Sequence, residues 1–159
     1  MRFPLFLGLA ILVAATGCSH KTTVTSTDGT TTVSTSNNGQ TATITTKEGS
    51  ATYGAGAVDT SKLGAPVYPG ATAAEGGGMS ASTTTGSSAM GAFSTADSFD
   101  AVYGWYKAHM PPGSEKMKMS SGGSDVAEFV AGKDADAVAV MISDKDGKTQ
   151  IVITHNTKK

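Results

Sequence analysis

The sequence predicts an α+β fold: a single helix packed on an antiparallel sheet of about five to six strands. A Thr-rich segment precedes it and is either a marginal β-meander or a flexible tether. Three observations carry this expectation. Residues 97–110 repeat large apolar side chains at helical spacing, and short runs on both sides of them alternate apolar with polar residues between glycine-containing turns. The stretch after a short apolar leader is rich in Thr and Ser and poor in large apolar groups. Composition bounds the class. The chain has 159 residues, 38% hydrophobic and 16% charged, with one Cys; ordinary globular chains are about 45–50% apolar and about 25% charged. A multi-domain enzyme, a polytopic membrane protein and a disulfide scaffold are excluded. Three regions are expected: a signal peptide at 1–17, a tether or meander at 18–62, and a small α+β domain at 63–159.

The leader begins with Arg2 and continues as an uncharged run from Phe3 to Ala15. A membrane-spanning helix needs about 20 such residues, so this run reads as a secretory signal peptide. Its end, Ala15-Thr16-Gly17-Cys18, resembles the lipobox of bacterial lipoproteins. The resemblance implies cleavage before Cys18 and acylation of its sulfur as a diacylglyceryl thioether, with palmitate-class chains. Ser19 in the next position implies delivery to the outer membrane, in the inner leaflet and facing the periplasm. Each buried CH₂ is worth about 0.8 kcal/mol, so two or more chains anchor a protein without any membrane-spanning helix. No free thiol then remains for catalysis, metal binding or crosslinking.

Charge points the same way. Arg2 is the only arginine, and the rest of the chain carries eleven lysines against thirteen carboxylates. Nucleic-acid binders use a basic patch with arginine forks, so no nucleic-acid partner is expected.

Residues 19–53 contain no Leu, Phe or Trp. Runs of Thr and Ser are punctuated by Asp28-Gly29, Asn38-Gly39 and Glu48-Gly49, which suit tight hairpin turns. Thr and Val favour strands. Val24, Val33, Ala42 and Ile44 are almost the only apolar groups, too few to offset an ordering cost of about 1–2 kcal/mol per residue. A stalk that holds the following domain off the membrane is the favoured reading, ahead of an adhesive sheet edge.

The segment from Leu63 to Ala71 has two prolines and Gly70, a rigid extended lead-in. Strands are expected near 71–80 and 87–94. Ser94-Thr95-Ala96-Asp97 marks a helix start, and Pro111-Pro112-Gly113 stops the helix after Met110. Phe99, Val102, Tyr103, Tyr106 and Met110 share one helical face, with Trp105 about 120° away on the flank. Further strands are expected near 115–120, 126–131, 137–143 and 151–154, with a hairpin at 144–148. Met117 and Met119 alternate with lysines and are expected to face the core. Val138, Val140 and Ile142 are expected inside, leaving an opposite face of small and polar residues toward solvent.

Pro66-Val67-Tyr68-Pro69-Gly70-Ala71, following a repetitive polar β segment, resembles a group of small bacterial envelope lipoproteins. The resemblance implies one helix among antiparallel strands and carries over no catalytic residue.

Little chemistry is legible. His20, His109 and His155 have no Ser or Asp companion motif, so no enzyme and no cofactor are expected. His109, Met117 and Met119, together with Met110 and Met141, are soft or borderline donors that would suit copper(I). Asp144-x-Asp146-Gly147 lacks the further ligands of a calcium loop and reads as a turn. The expected function is a lipid-anchored structural or interaction module that faces the periplasm. Its partner is another envelope protein or the wall, met by Trp105 together with the exposed sheet face. The alternative is a small-ligand or copper(I) carrier.

Overall fold

The computed structural model describes residues 20–26, 29–36, 40–54, 57–134, 136–145 and 147–158. The leader and Cys18 lie outside the described residues, as do Asp28, Asn38 and Asp146 of the expected turns.

The fold is mostly β and overturns the expected five-to-six-stranded α+β sheet. Among the described residues ten strands form one sheet: β1 (His20–Ser26), β2 (Gly29–Ser36), β3 (Thr41–Thr46), β4 (Gly49–Gly54), β5 (Thr72–Thr83), β6 (Gly86–Thr95), β7 (Glu115–Ser121), β8 (Ser124–Lys133), β9 (Asp136–Lys145) and β10 (Lys148–Lys158). Their spatial order is β1-β2-β3-β4-β5-β6-β10-β9-β8-β7, and every neighbour is antiparallel. Of the two alternatives for the Thr-rich segment, its described residues form strands, and these belong to the same sheet. Its strand β4 continues the same ladder onto β5, in register from Gly49↔Thr83 to Tyr53↔Met79. A ladder satisfies backbone N–H and C=O groups whatever the side chains are, and β-branched Thr suits a pleated surface. Extension onto a sheet that already has a core removes the need for these strands to bury one of their own.

The one α-helix among the described residues, α1 (Phe99–His109), is capped by Ser98, four residues after Ser94 of the expected helix start. Ser94 and Thr95 stay in β6 because they pair with Gln150 and Thr149 of β10. Ser98 is the N-cap: its hydroxyl accepts from the Ala101 N–H at 3.4 Å, with Asp100 in the first turn and Lys107 and His109 in the last, as the helix dipole favours.

One sheet face is covered and the other is open. On the covered face Ile151, Ile153, Val140, Ile142, Ala127, Phe129 and Phe93 are buried under Phe99, Val102 and Tyr106 of α1. Each large apolar side chain buried this way contributes about 1.5–3 kcal/mol. The connection from β4 to β5 crosses the same face and adds fully buried Leu63. It fits because Gly78 and Gly91 lie beneath it: a Cβ at Gly78 would stand 2.5 Å from Val58 Cγ2, and one at Gly91 2.7 Å from the Phe93 ring.

Candidate functional site

Three surfaces carry the side chains that could act: the aromatic flank of α1, a hydroxyl-lined cleft on the covered side, and the open face of the sheet.

On the flank, Trp105 is half-buried rather than projecting. Its ring stacks on His109 at 4.1 Å between centroids and meets Tyr68 and Tyr106 edge-on at 5.4 and 4.9 Å. His109 Nδ1 lies 2.7 Å from the Trp105 carbonyl. The Pro-x-Tyr-Pro-Gly-Ala segment straps this cluster to the fold. Tyr68 Oη donates to Asp97 Oδ2 at 2.8 Å, and that hydrogen bond raises the phenol above its usual pKa. Tyr106 Oη donates to the Pro66 carbonyl at 3.1 Å, and burial pushes its pKa up to about 12. Beyond the flank, Tyr103 donates to Glu115 at 2.7 Å and Lys107 reaches the same carboxylate at 3.2 Å. The Tyr103 hydrogen bond is the main cause holding Glu115 below the usual carboxylate range.

The cleft, about 380 Å³ in volume, lies where the β4–β5 connection leaves the sheet. Ser50, Thr52, Ser80, Ser82 and Ser87 line its floor, and Lys62 and His155 form one wall. Strand register explains the floor: Thr52, Ser80 and Ala89 stand side by side on successive strands, as do Ser50, Ser82 and Ser87. His155 Nδ1–H donates to the Lys62 carbonyl at 2.8 Å, and Nε2 lies 3.2 Å from Asp136 Oδ1. Lys62 pairs with Asp59 at 3.4 Å. The cleft can hydrogen-bond a polar ligand, but its imidazole has both nitrogens engaged and none turned toward a serine.

The open face carries the expected small and polar residues, Ala139, Ser143, Gln150 and Thr154 among them, and adds a set of long apolar ones. Met79 and Met90 pair across β5 and β6, and Met117, Glu128, Met141 and Val152 follow one another across β7, β8, β9 and β10. Ile44 and Tyr53 extend it over β3 and β4. Nothing among the described residues covers it, and Ile44, Tyr53, Met119 and Met141 are 38–54% exposed.

Register also fixes the relation between the candidates. Lys118, not Met117 or Met119, turns toward the helix: its ammonium sits 4.0 Å from the Tyr103 centroid and 3.2 Å from Asp100 Oδ1. Alternation places Met117 and Met119 on the open face. This corrects their expected core position and leaves them across the sheet from His109. Trp105 and the open face likewise occupy opposite sides and do not form one surface. Among the described residues no group of three or more His, Cys, Asp or Glu side chains is arranged to hold a metal ion. His20 heads β1, Met110 is buried in the core, and Cys18 is outside the described residues. The cleft and the methionine face were both missed in the sequence. Their signal was the alternation itself, hydroxyl with apolar, carried in one phase across strands whose pairing only the fold supplies.

No family model matches the chain, and no curated protein or solved structure matches it either.

Proposed function

We propose that the chain is an exported protein anchored by lipid on Cys18, and that it works as an interaction module in the cell envelope. The open sheet face is the surface that meets the partner. The single observation that supports this reading is that face: five methionines, Met79, Met90, Met117, Met119 and Met141, stand on it among small and polar residues, with Met119 and Met141 about half exposed. Exposed apolar groups clustered on one face mark interaction sites. Met suits such a face because its unbranched thioether adapts to an irregular partner.

The anchor and the ladder complete the reading. Cys18 stands two residues before β1, a reach of about 7 Å. The sheet then holds the helix-covered body away from the anchor by strand widths of about 4.8 Å each. The spacer is the Thr-rich half of the sheet.

Whole-cell crosslinking with affinity capture tests the reading, with Met141→Lys and Trp105→Ala compared. Loss of the captured species with Met141→Lys and its retention with Trp105→Ala is the expected result; the reverse pattern refutes the open face. Cys18→Ala releases the protein from the membrane fraction or leaves it uncleaved. Continued extraction by detergent alone contradicts the lipid anchor.

A soft-metal reading has one observation in its favour, Met117 and Met141 flanking Glu128 on adjacent strands. It no longer includes His109. Copper(I) bound to the intact protein and lost in Met117→Leu would support it.

A further inference from the structure

We propose that the hydroxyl-lined cleft is the middle of a longer track that binds a neutral glycan chain laid across the strands. The track lies on the helix side of the sheet and does not involve the methionine face.

Register draws the track. Thr32, Thr45, Ser50, Ser82, Ser87 and Thr157 stand opposite one another in turn on β2, β3, β4, β5, β6 and β10, one hydroxyl on each of six neighbouring strands. Thr23 on β1 makes a seventh. At about 4.8 Å per strand the row is about 29 Å long. A second row runs beside it, about 6.7 Å away along the strands, with Ser34, Thr43, Thr52 and Ser80 on β2 to β5. That row ends on Ala89 and His155, where Lys62 walls the cleft.

The protein uses few of these hydroxyls itself. Ser87 bonds Thr157 at 2.6 Å and Thr43 bonds Thr52 at 3.0 Å. A hydroxyl has one hydrogen and two lone pairs, so each such pair keeps a donor and spare acceptors. Among the described residues Thr45, Ser50, Ser80 and Ser82 make no side-chain hydrogen bond. Thr41, next to Thr43 on the same face of β3, is only 7% exposed, and its Oγ1 also has no partner. Buried polar atoms are normally satisfied, so this face holds one group that the protein does not satisfy.

Charge and topology select the ligand. Lys62 lies 3.4 Å from Asp59 and His155 lies 3.2 Å from Asp136, so both basic groups at the wall already face a carboxylate and neither is free for an anion. Lys21, beside Ser34 at the far end, is the other charge in the two rows. Every strand under the track except β1 is paired on both sides, so side chains and not a backbone edge are offered. The matching ligand donates and accepts along its length without charge, as a polyhydroxylated sugar chain does. Ala89 and the Thr methyl groups supply small apolar points for its C–H faces. A small polar molecule would fill the cleft and leave Thr23, Thr32 and Thr45 unused beyond it. Neighbouring strands turn by about 20–25°, so a row across them coils, and a single chain follows it better than a flat crystalline surface.

Equilibrium dialysis of the full chain in detergent tests the proposal, with chitobiose, chitohexaose and cellohexaose as probes and hexagalacturonate as the anionic comparison. A neutral hexamer should bind about tenfold or more tighter than chitobiose, because it engages more of the row. Ser50→Ala with Ser82→Ala should weaken the hexamer by about tenfold, from two lost hydrogen bonds. Both serines are exposed strand positions, where Ala keeps the fold. Met141→Lys, on the other face, should leave binding unchanged. Binding of both neutral hexamers assigns the ring hydroxyls as the recognised groups, and binding of chitohexaose alone adds the acetamido group to them; either supports the glycan. No hexamer binding at millimolar concentration overturns the proposal, as does an affinity that the two serine substitutions leave unchanged. Equal affinity for chitobiose and the hexamers overturns the track. Tighter binding of hexagalacturonate overturns the neutral ligand, and an equal loss with Met141→Lys overturns the face.

Discussion

Tyr106 is fully buried, and its hydroxyl still finds the Pro66 carbonyl, so one side chain joins α1 to the strap that crosses it. Burial raises its pKa from 10.0 to about 12. Folding therefore favours the neutral phenol. The stability that this provides is complete below pH 10 and is lost as pH rises from 10 toward 12, where the unfolded chain ionises and the folded one does not. Two pKa units correspond to about 2–3 kcal/mol. Tyr106→Phe should flatten the fall in stability between pH 10 and 12, measured by urea unfolding at each pH, and cost about 1 kcal/mol at neutral pH from the lost hydrogen bond. At Gly78 the limit is space, since an added methyl meets Val58 and the Gly54 carbonyl oxygen at 2.5 and 2.8 Å. Gly78→Ala should destabilise by about 1–3 kcal/mol in the same assay. Gly70→Ala, with open space around it but φ of +81°, should cost about 1 kcal/mol from backbone strain alone.

At the scale of elements, α1 was legible in its face and not in its first turn. Phe99, Val102 and Tyr106 are buried as their spacing implies. Ser94 and Thr95 resemble caps, but a cap needs a chain free to leave the sheet, and β10 holds both in register. Ser98→Ala should therefore lower stability by about 1 kcal/mol, whereas Thr95→Ala should not fray the helix; hydrogen exchange at Ala101 distinguishes the two. The strand β7 shows a second limit. Alternation of Lys and Met says that the two types face opposite ways, and not which way is in. The usual preference puts Met inside, but α1 presents Asp100 and the Tyr103 ring to this edge, and the Lys118 ammonium satisfies both while its stem lies along apolar surface. The partner element, not the strand, decided the orientation.

For the whole molecule, the strand number depends on pairing between distant segments. The repeats of residues 20–54 offer little burial of their own, yet the strands they form are stabilised by a neighbour whose core lies elsewhere. Register across β4 and β5 is a long-range fact that no local pattern carries. The cleft and the open face depend on that register and were hidden with it. Stability should accordingly be graded along the sheet. Amides of β6, β8, β9 and β10, behind the buried cluster, should exchange slowest, and those of β2 and β3, with few buried side chains, should exchange faster by orders of magnitude; native-state hydrogen exchange measures the gradient, and uniform protection would refute it. The strand order has a further effect. Up to β6 every strand pairs with the one made just before it, and β7, β8 and β9 do the same among themselves. Only β10 bridges the two series, lying between β6 and β9. Until residues 148–158 leave the ribosome the nascent polypeptide holds two separate hairpin stacks and no closed core.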